Sequence, residues 1–253
     1  MIMSSKNLSS IEKSILILNK LSDTPYEYKA QELADILEIN KTTIHRILNV
    51  FLENDLVIKD NLTKMYRLGP QVYRLGSVYL NNFNFENKVE EILNEISAEA
   101  KESVGLAIRD REKIISLYEI ELYQPMKMNY RPGIFYPINR GCYGKCLMAY
   151  YDREKVIKIL QKETYEKVAK NTLTTTQKIL QEYEKIKKDG YVTSIEESFK
   201  YAIGVGIPIF NSKREVVACL AVSFLKTDDY MKKIEKLKEI LFKYRPKVEK
   251  YIP

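Results

Sequence analysis

The stretch NKTTIHRILNVF, residues 40–51, carries two faces on one helix. Ile44, Ile47, Leu48 and Phe51 show the i, i+3, i+4, i+7 spacing of a buried stripe. Thr42, His45, Arg46 and Asn49 repeat that spacing two residues earlier, and two residues turn a helix by about 200°. The second stripe therefore lies opposite the first. It holds only hydrogen-bonding side chains, and no acid stands between Asn40 and Leu52.

Outward from this helix the pattern is regular. SSIEKSILILNKL (9–21) opens with Ser9 and Glu12 in capping-box spacing, and Ile11, Ile15, Leu18 and Leu21 form an apolar face. TPYEY (24–28) reads as a loop. KAQELADIL (29–37) is a short helix with Leu33, Ile36 and Leu37 apolar. EIN (38–40) is a tight turn, and Asn40 is a favourable N-cap for the helix beginning at Lys41. LVIKDNLTKMYRLG (56–69) places two short extended runs around a polar turn, which predicts a hairpin.

Helix, helix–turn–helix, then hairpin is the order of a winged helix-turn-helix, whose second paired helix enters the DNA major groove. On that geometry Thr42, His45, Arg46 and Asn49 reach base edges and phosphates, where Arg suits guanine and Asn suits adenine. Lys41 and Thr43 are placed for phosphates at the helix start. Lys64, Tyr66 and Arg67 of the hairpin are placed for the adjacent backbone. The plain alternative is a helical bundle whose third helix has a wet face; the turn and the wing weigh against it.

Composition sets the outer limits. The 253 residues are 45% hydrophobic and 30% charged, values of a soluble globular protein of one or two domains. The apolar runs are too short to span a bilayer, and MIMSSKNLSS lacks the apolar segment of a signal peptide, so a cytoplasmic location is expected. Net charge is +7, but residues 1–84 hold 10 Lys+Arg against 9 Asp+Glu. A DNA partner must therefore be argued from local arrangement rather than total charge. The basic tail FKYRPKVEKYIP reads as a solvated face after a helix.

PQVYRLGSVYLNNFNFE (70–86) predicts a linker helix. Pro70 sits in its first turn, and Val72, Leu75, Val78 and Tyr79 form a stripe for a partner or for its own neighbours. From about residue 88 the pattern is α+β. Strands are expected at 103–119 around a polar turn, and at YVTSI, AIGVGIPIF and EVVACLAVSFL. QPMKMNY (124–130) alternates, with Met126, Met128 and Tyr130 on one face, and Met126 and Met128 are expected among the effector contacts. Helices are expected at CYGKCLMAYY, at DREKVIKILQ, from the Thr174/Gln177 pair to Gly190, and from about Asp228 to Tyr244.

The last two strands each have a bulky side and a mostly small side. Ile203, Val205, Ile207 and Ile209 oppose Gly204, Gly206 and Pro208. Val216, Ala218, Leu220, Val222 and Phe224 oppose Val217, Cys219, Ala221 and Ser223. A face this small admits either a ligand or a closely packed helix.

Enzymatic signatures are missing. His45 is the one histidine, so the C-terminal half can hold neither a Ser-His-Asp nor a Cys-His pair. No phosphate-binding loop, dinucleotide fingerprint or zinc spacing occurs, and no cofactor is expected. Cys142 and Cys146 read as packing residues, and with Cys219 they make no disulfide or metal-binding framework. Glu196 and Glu197 are adjacent carboxylates that nothing marks as an acid/base pair.

Nearly the whole chain resembles the IclR family of bacterial transcription regulators. QELADILEINKTTIHRILNVFLENDLV and the YRLGPQVYRLG directly after the wing match its N-terminal pattern. YPINRGCYGKCLMAY and DGYVTSIEESFKYAIGVGIPIFNSKREVVACLAVS match its C-terminal segments more loosely. The resemblance implies a mostly α winged helix-turn-helix domain (1–68), a linker helix (69–87) and an α+β GAF-like domain with an antiparallel sheet (88–253). It implies a non-enzymatic regulator, more often a repressor, that binds a DNA operator as a dimer or tetramer under control of a small organic effector. Carried over residue by residue, the effector pocket is expected at Gly141, Cys142, Ser194, Gly204, Ala221 and Ser223. Cys142 stands where Ala is usual, Ser194 where Asp is common, and Gly204 where Cys is frequent. The expected effector is thus larger or less polar than a small oxo-acid. The rivals are a constitutive DNA-binding protein whose C-domain only oligomerises, with a filled core behind Gly204 and Ser223, and a small-molecule-modifying enzyme with an accessory winged helix.

Overall fold

Each amphipathic segment of the N-terminal half folds around the same small core. The computed structural model describes residues 8–81, 88–121 and 131–252. It divides into two compact units, Met1–Phe83 and Asn84–Pro253. In the first, α1 (Ser10–Leu21), β1 (Glu27–Lys29), α2 (Ala30–Leu37), α3 (Lys41–Glu53), β2 (Val57–Lys59), β3 (Met65–Leu68) and α4 (Pro70–Asn81) succeed one another. The Ser9/Glu12 capping box closes as the spacing requires: the Glu12 N–H donates to Ser9 Oγ and the Ser9 N–H to Glu12 Oε2. Ile17, Leu33, Ile44, Leu48 and Val57 meet in the core.

Two details of this unit differ from the expectation. Residues 27–29 are a strand, not part of a loop: Glu27 to Lys29 pair with Arg67 to Met65, so the hairpin becomes a three-stranded antiparallel sheet in the order β1-β3-β2. The polar–apolar–polar alternation around Tyr28 is its signal, and the strand is exposed–buried–exposed accordingly. On α1 the buried seam runs through Ile17 and Leu21, and Ile11 and Ile15 face outward, 74% and 51% exposed. On α4, Leu75 and Val78 are exposed, which leaves the stripe free for a partner, one of its two expected uses.

The second unit contains α5 (Lys88–Ala100), β4 (Ser103–Asp110), β5 (Lys113–Ile120), β6 (Phe135–Tyr136), α6 (Cys142–Ala149), α7 (Arg153–Lys162), α8 (Thr176–Asp189), β7 (Val192–Ile195), β8 (Ala202–Phe210), β9 (Val216–Leu225) and α9 (Tyr230–Glu249). The six strands form one antiparallel sheet in the order β6-β5-β4-β9-β8-β7. α5 and α9 pack together on one face, α6 covers the other, and α7 and α8 lie behind α6. α6 is buried on every side, as a largely apolar helix between layers must be.

Boundaries again carry the corrections. Thr175, not Thr174, caps α8, its hydroxyl accepting from the Lys178 N–H. β6 has no counterpart among the expected strands, because two residues carry no period. The basic tail is part of the last helix rather than an appendage to it. α9 continues through Pro246 because Tyr244, Val248 and Ile252 are all buried, which outweighs the N–H that Pro withholds. A bulge at Ile209/Phe210 pairs Phe210 with Val216, so Val216, not Val217, joins the α6 side of the sheet.

Candidate DNA-reading face and ligand cavity

The helix-turn-helix is built by two local devices. Glu38 takes a left-handed conformation (φ +52°) that turns the chain after α2, and its N–H donates to the Ala34 carbonyl. Asn40 then caps α3, accepting from the Thr42 N–H at 2.8 Å. With Ile44, Ile47, Leu48 and Phe51 turned into the core, Lys41, Thr42, His45, Arg46 and Asn49 stand exposed, and Thr43 is half-buried. Arg46 Nη2 donates to Ser10 Oγ at 3.3 Å, a weak exposed contact. A face of cations, hydroxyl and amide without an acid has the donors and acceptors that base edges and phosphates require.

The wing turn rests on Asp60, whose Oδ1 accepts from the N–H groups of Leu62 and Thr63 at 2.8 and 2.7 Å. The bonds from Thr63, and then that from Leu62, hold its carboxyl below the usual range. Lys64 and Arg67 are exposed on the wing. Tyr66 is not: it is 2% exposed, opposite Tyr28 in the central strand, with the Lys59 ammonium 5.1 Å from its ring centre. Tyr66 therefore belongs to the core and is not counted among the DNA contacts. The third strand is the physical reason, because it makes β3 central and turns alternate side chains inward.

In the second unit a cavity of about 450 Å³ opens on the small face of the sheet. Gly141, Cys142, Ser194, Gly204, Ala221 and Ser223, the six positions expected there from the family pattern, all line it. Met126 and Met128 lie outside the described residues. The register explains the convergence, since Ser194 pairs with Gly204 and Gly204 with Ser223, one row across three strands. The small face serves both of its possible uses. A side chain at 204 would place its first carbon 2.7 Å from Cys142 Sγ, so the start of α6 packs there directly. The cavity opens beside that contact.

The cavity wall is held by a buried ionic network. Lys145, wholly buried, donates to Glu197 Oε1 at 2.6 Å, to Glu182 Oε1 at 2.9 Å and to the Thr193 carbonyl at 2.7 Å. Burial alone would lower the Lys145 pKa, but the two carboxylates outweigh it and keep the ammonium charged. Glu197 Oε2 accepts from the Gly141 N–H at 3.0 Å and the Ser194 hydroxyl at 2.8 Å. One carboxylate thus fixes two lining residues that stand 53 positions apart in sequence. Burial pushes the Cys142 thiol well up, so it lines the cavity as a neutral group.

Further residues at the cavity lie beyond the expected six. The hydroxyls of Tyr136 and Tyr143, both lining it, donate to Glu119 at 2.9 and 3.3 Å, and Ser116 donates to it at 2.7 Å. Burial raises the Glu119 pKa to about 7 against those bonds. Gly105 opposite makes the space, since a first side-chain carbon there would meet Glu119 and the Tyr143 hydroxyl at about 2 Å. Arg140, just before the Gly141–Cys142 pair, also lines the cavity. An acid in the apolar strand KIISLYEI and a lysine in the apolar helix CYGKCLMA are the signals in the sequence, because a buried charge needs partners.

Comparison with known proteins agrees with this architecture. A sequence model of the IclR helix-turn-helix domain matches residues 10–61, and one described as bacterial transcriptional regulator IclR C-terminal matches residues 77–248. The HTH-type transcriptional regulator KdgR of Escherichia coli (strain K12) is 26% identical over 218 residues, 86% of this chain and 82% of the relative. The crystal structure of an IclR-type regulator from Alicyclobacillus acidocaldarius superposes with a TM-score of 0.78 at 21% identity, covering 97% of this chain and 99% of that one. That of an IclR homolog from Microbacterium hydrocarbonoxydans, complexed with 4-hydroxybenzoate, gives 0.76 at 17% identity, covering 95% and 99%. Among the described residues no helix is long and apolar enough to cross a membrane, and no cluster of His, Cys, Asp and Glu is arranged to hold a metal. With a helix-turn-helix in one unit and the matching C-terminal domain in the other, the chain belongs to the IclR family of DNA-binding transcription regulators.

Proposed function

We propose that this chain represses transcription in the cytoplasm from a pseudo-palindromic operator, gripped as a homodimer or homotetramer, and that a small organic effector in the cavity changes that grip. The observation that carries this reading is the pairing, in one chain, of an acid-free exposed α3 face with an open cavity at Gly204 and Ser223. A filled core at that place would have favoured the constitutive rival. Repression rather than activation rests on the family's habit.

The DNA contacts assigned are Lys41, Thr42, Thr43, His45, Arg46 and Asn49 on α3, with Lys64 and Arg67 on the wing. The effector contacts assigned are Gly141, Cys142, Ser194, Gly204, Ala221 and Ser223. Self-association is supported by the outward apolar residues Ile11 and Ile15 of α1 and Tyr73, Leu75, Val78 and Leu80 of α4, each more than half exposed. Two α3 helices from a dimer would read two half-sites, and the effector acts by binding one spacing of those helices better than another.

Genomic fragments retained by the protein test this directly. They are expected to converge on one inverted repeat, and the protein to sediment as a dimer or tetramer. Unrelated fragments, or a monomer at micromolar concentration, would contradict it.

A further inference from the structure

One residue lining the cavity, Arg140, is a cation that the described residues leave without a counter-ion. Arg140 is half-buried at its wall, and among the described residues no carboxylate lies within ion-pair distance of it. Other half-buried or buried cations of this unit have partners. Glu197 and Glu182 neutralise Lys145, Glu196 neutralises Lys226, Glu102 neutralises Lys233 and Glu249 neutralises Arg245. Arg109 lies over the Tyr151 ring, 3.8 Å from its centre. Glu197 makes no ion pair with Arg140; its oxygens accept from Lys145, Gly141 and Ser194. Burial lowers the Arg140 pKa with no acid to offset it. A half-buried, unpaired guanidinium is unfavourable by itself and strongly favourable once a carboxylate meets its fork of donors.

The rest of the cavity limits what that anion can be. Phe135, Tyr136, Tyr143 and Phe199 give it aromatic walls. Glu119 stands directly behind the two tyrosine hydroxyls, with Glu121 adding to the negative potential there. A second negative charge on the ligand would add to those acids.

We infer that Arg140 selects the effector, and that the effector is an organic monoanion with a flat apolar body. This rests on the cavity being the effector site, as proposed above. It also moves the polar contact away from the six positions carried over from the family, which supply little charge recognition in this chain.

Calorimetric titration of the full chain with benzoate, its neutral isostere benzamide and the dianion terephthalate tests the assignment, using the wild type, Arg140→Gln and Ser223→Leu. Benzoate is expected to bind at least roughly tenfold more tightly than either other compound, the share of one charge-assisted hydrogen-bonded contact. Arg140→Gln is expected to abolish that preference while leaving benzamide binding and the melting temperature unchanged. Benzamide binding as tightly as benzoate, a preference that survives Arg140→Gln, or no benzoate binding at millimolar concentration overturns the inference. Ser223→Leu separates the two levels. Benzamide binding that disappears in it keeps the cavity as a ligand site even if the charge assignment fails, and binding that persists removes the cavity from consideration.

Discussion

Lys145 Nζ lies 2.6 Å from Glu197 Oε1 with no exposed surface of its own, and the other oxygen of Glu197 holds Gly141 and Ser194 at the cavity wall. The pair is therefore the scaffold of the cavity rather than a surface ornament. Removing one partner of a buried pair strands the other. Lys145→Met is expected to lower the free energy of unfolding by about 3–5 kcal/mol. Urea denaturation measures it, and a loss below about 1 kcal/mol would mean that the network is not held as described.

Glu119 gives a pH dependence of definite sign. Its pKa is about 7 in the folded chain against an ordinary value of 4.5, so the folded state binds more protons between those values. Its contribution is fully present below the ordinary value and is lost as pH rises through about 7. Glu119→Gln removes the effect. Relative to wild type, the variant is expected to gain stability on going from about pH 5 to about pH 8, by on the order of 3 kcal/mol. Melting curves that run parallel across that range would contradict the burial of this carboxyl.

Tyr66 separates packing from DNA contact. Tyr66→Phe keeps the ring between β1 and β2 and is expected to leave DNA affinity unchanged. Tyr66→Ala is expected to destabilise the first unit by about 3–5 kcal/mol, the usual loss for truncating a buried aromatic. If Tyr66→Phe weakened DNA binding with an unchanged melting temperature, the hydroxyl would be a contact after all.

Much of this architecture is legible in the sequence where period and chemistry agree. The α3 stripe of Ile44, Ile47, Leu48 and Phe51 decides which side chains face out, and the small positions Gly204, Ala221 and Ser223 mark the cavity. The remainder depends on long-range pairing. Tyr66 and Tyr28 each look like surface or loop residues until β1 and β3 meet. Lys145 and Glu197 are 52 residues apart, and no local pattern relates them. Arg140 differs again: its proposed role rests on the counter-ion it lacks among the described residues, which a sequence does not display.

Arg46 gives the sharpest test of the proposed DNA-reading face. It is exposed and its contact with Ser10 is long, so Arg46→Ala is expected to leave stability within about 0.5 kcal/mol of wild type. Operator binding is expected to weaken by about 1–3 kcal/mol, as for loss of a base-reading arginine. Unchanged binding in a fluorescence anisotropy titration would place the wrong helix in the groove.

The most direct measurement is binding of the full chain to the genomic fragment it retains best, against a shuffled fragment of equal length, across a salt series. The expected result is selective binding, on the order of 10³-fold or more at physiological salt, with log affinity falling linearly with log salt for both fragments. Equal affinity for the two fragments at every salt concentration would leave charge alone as the binding force and would contradict an operator-reading regulator.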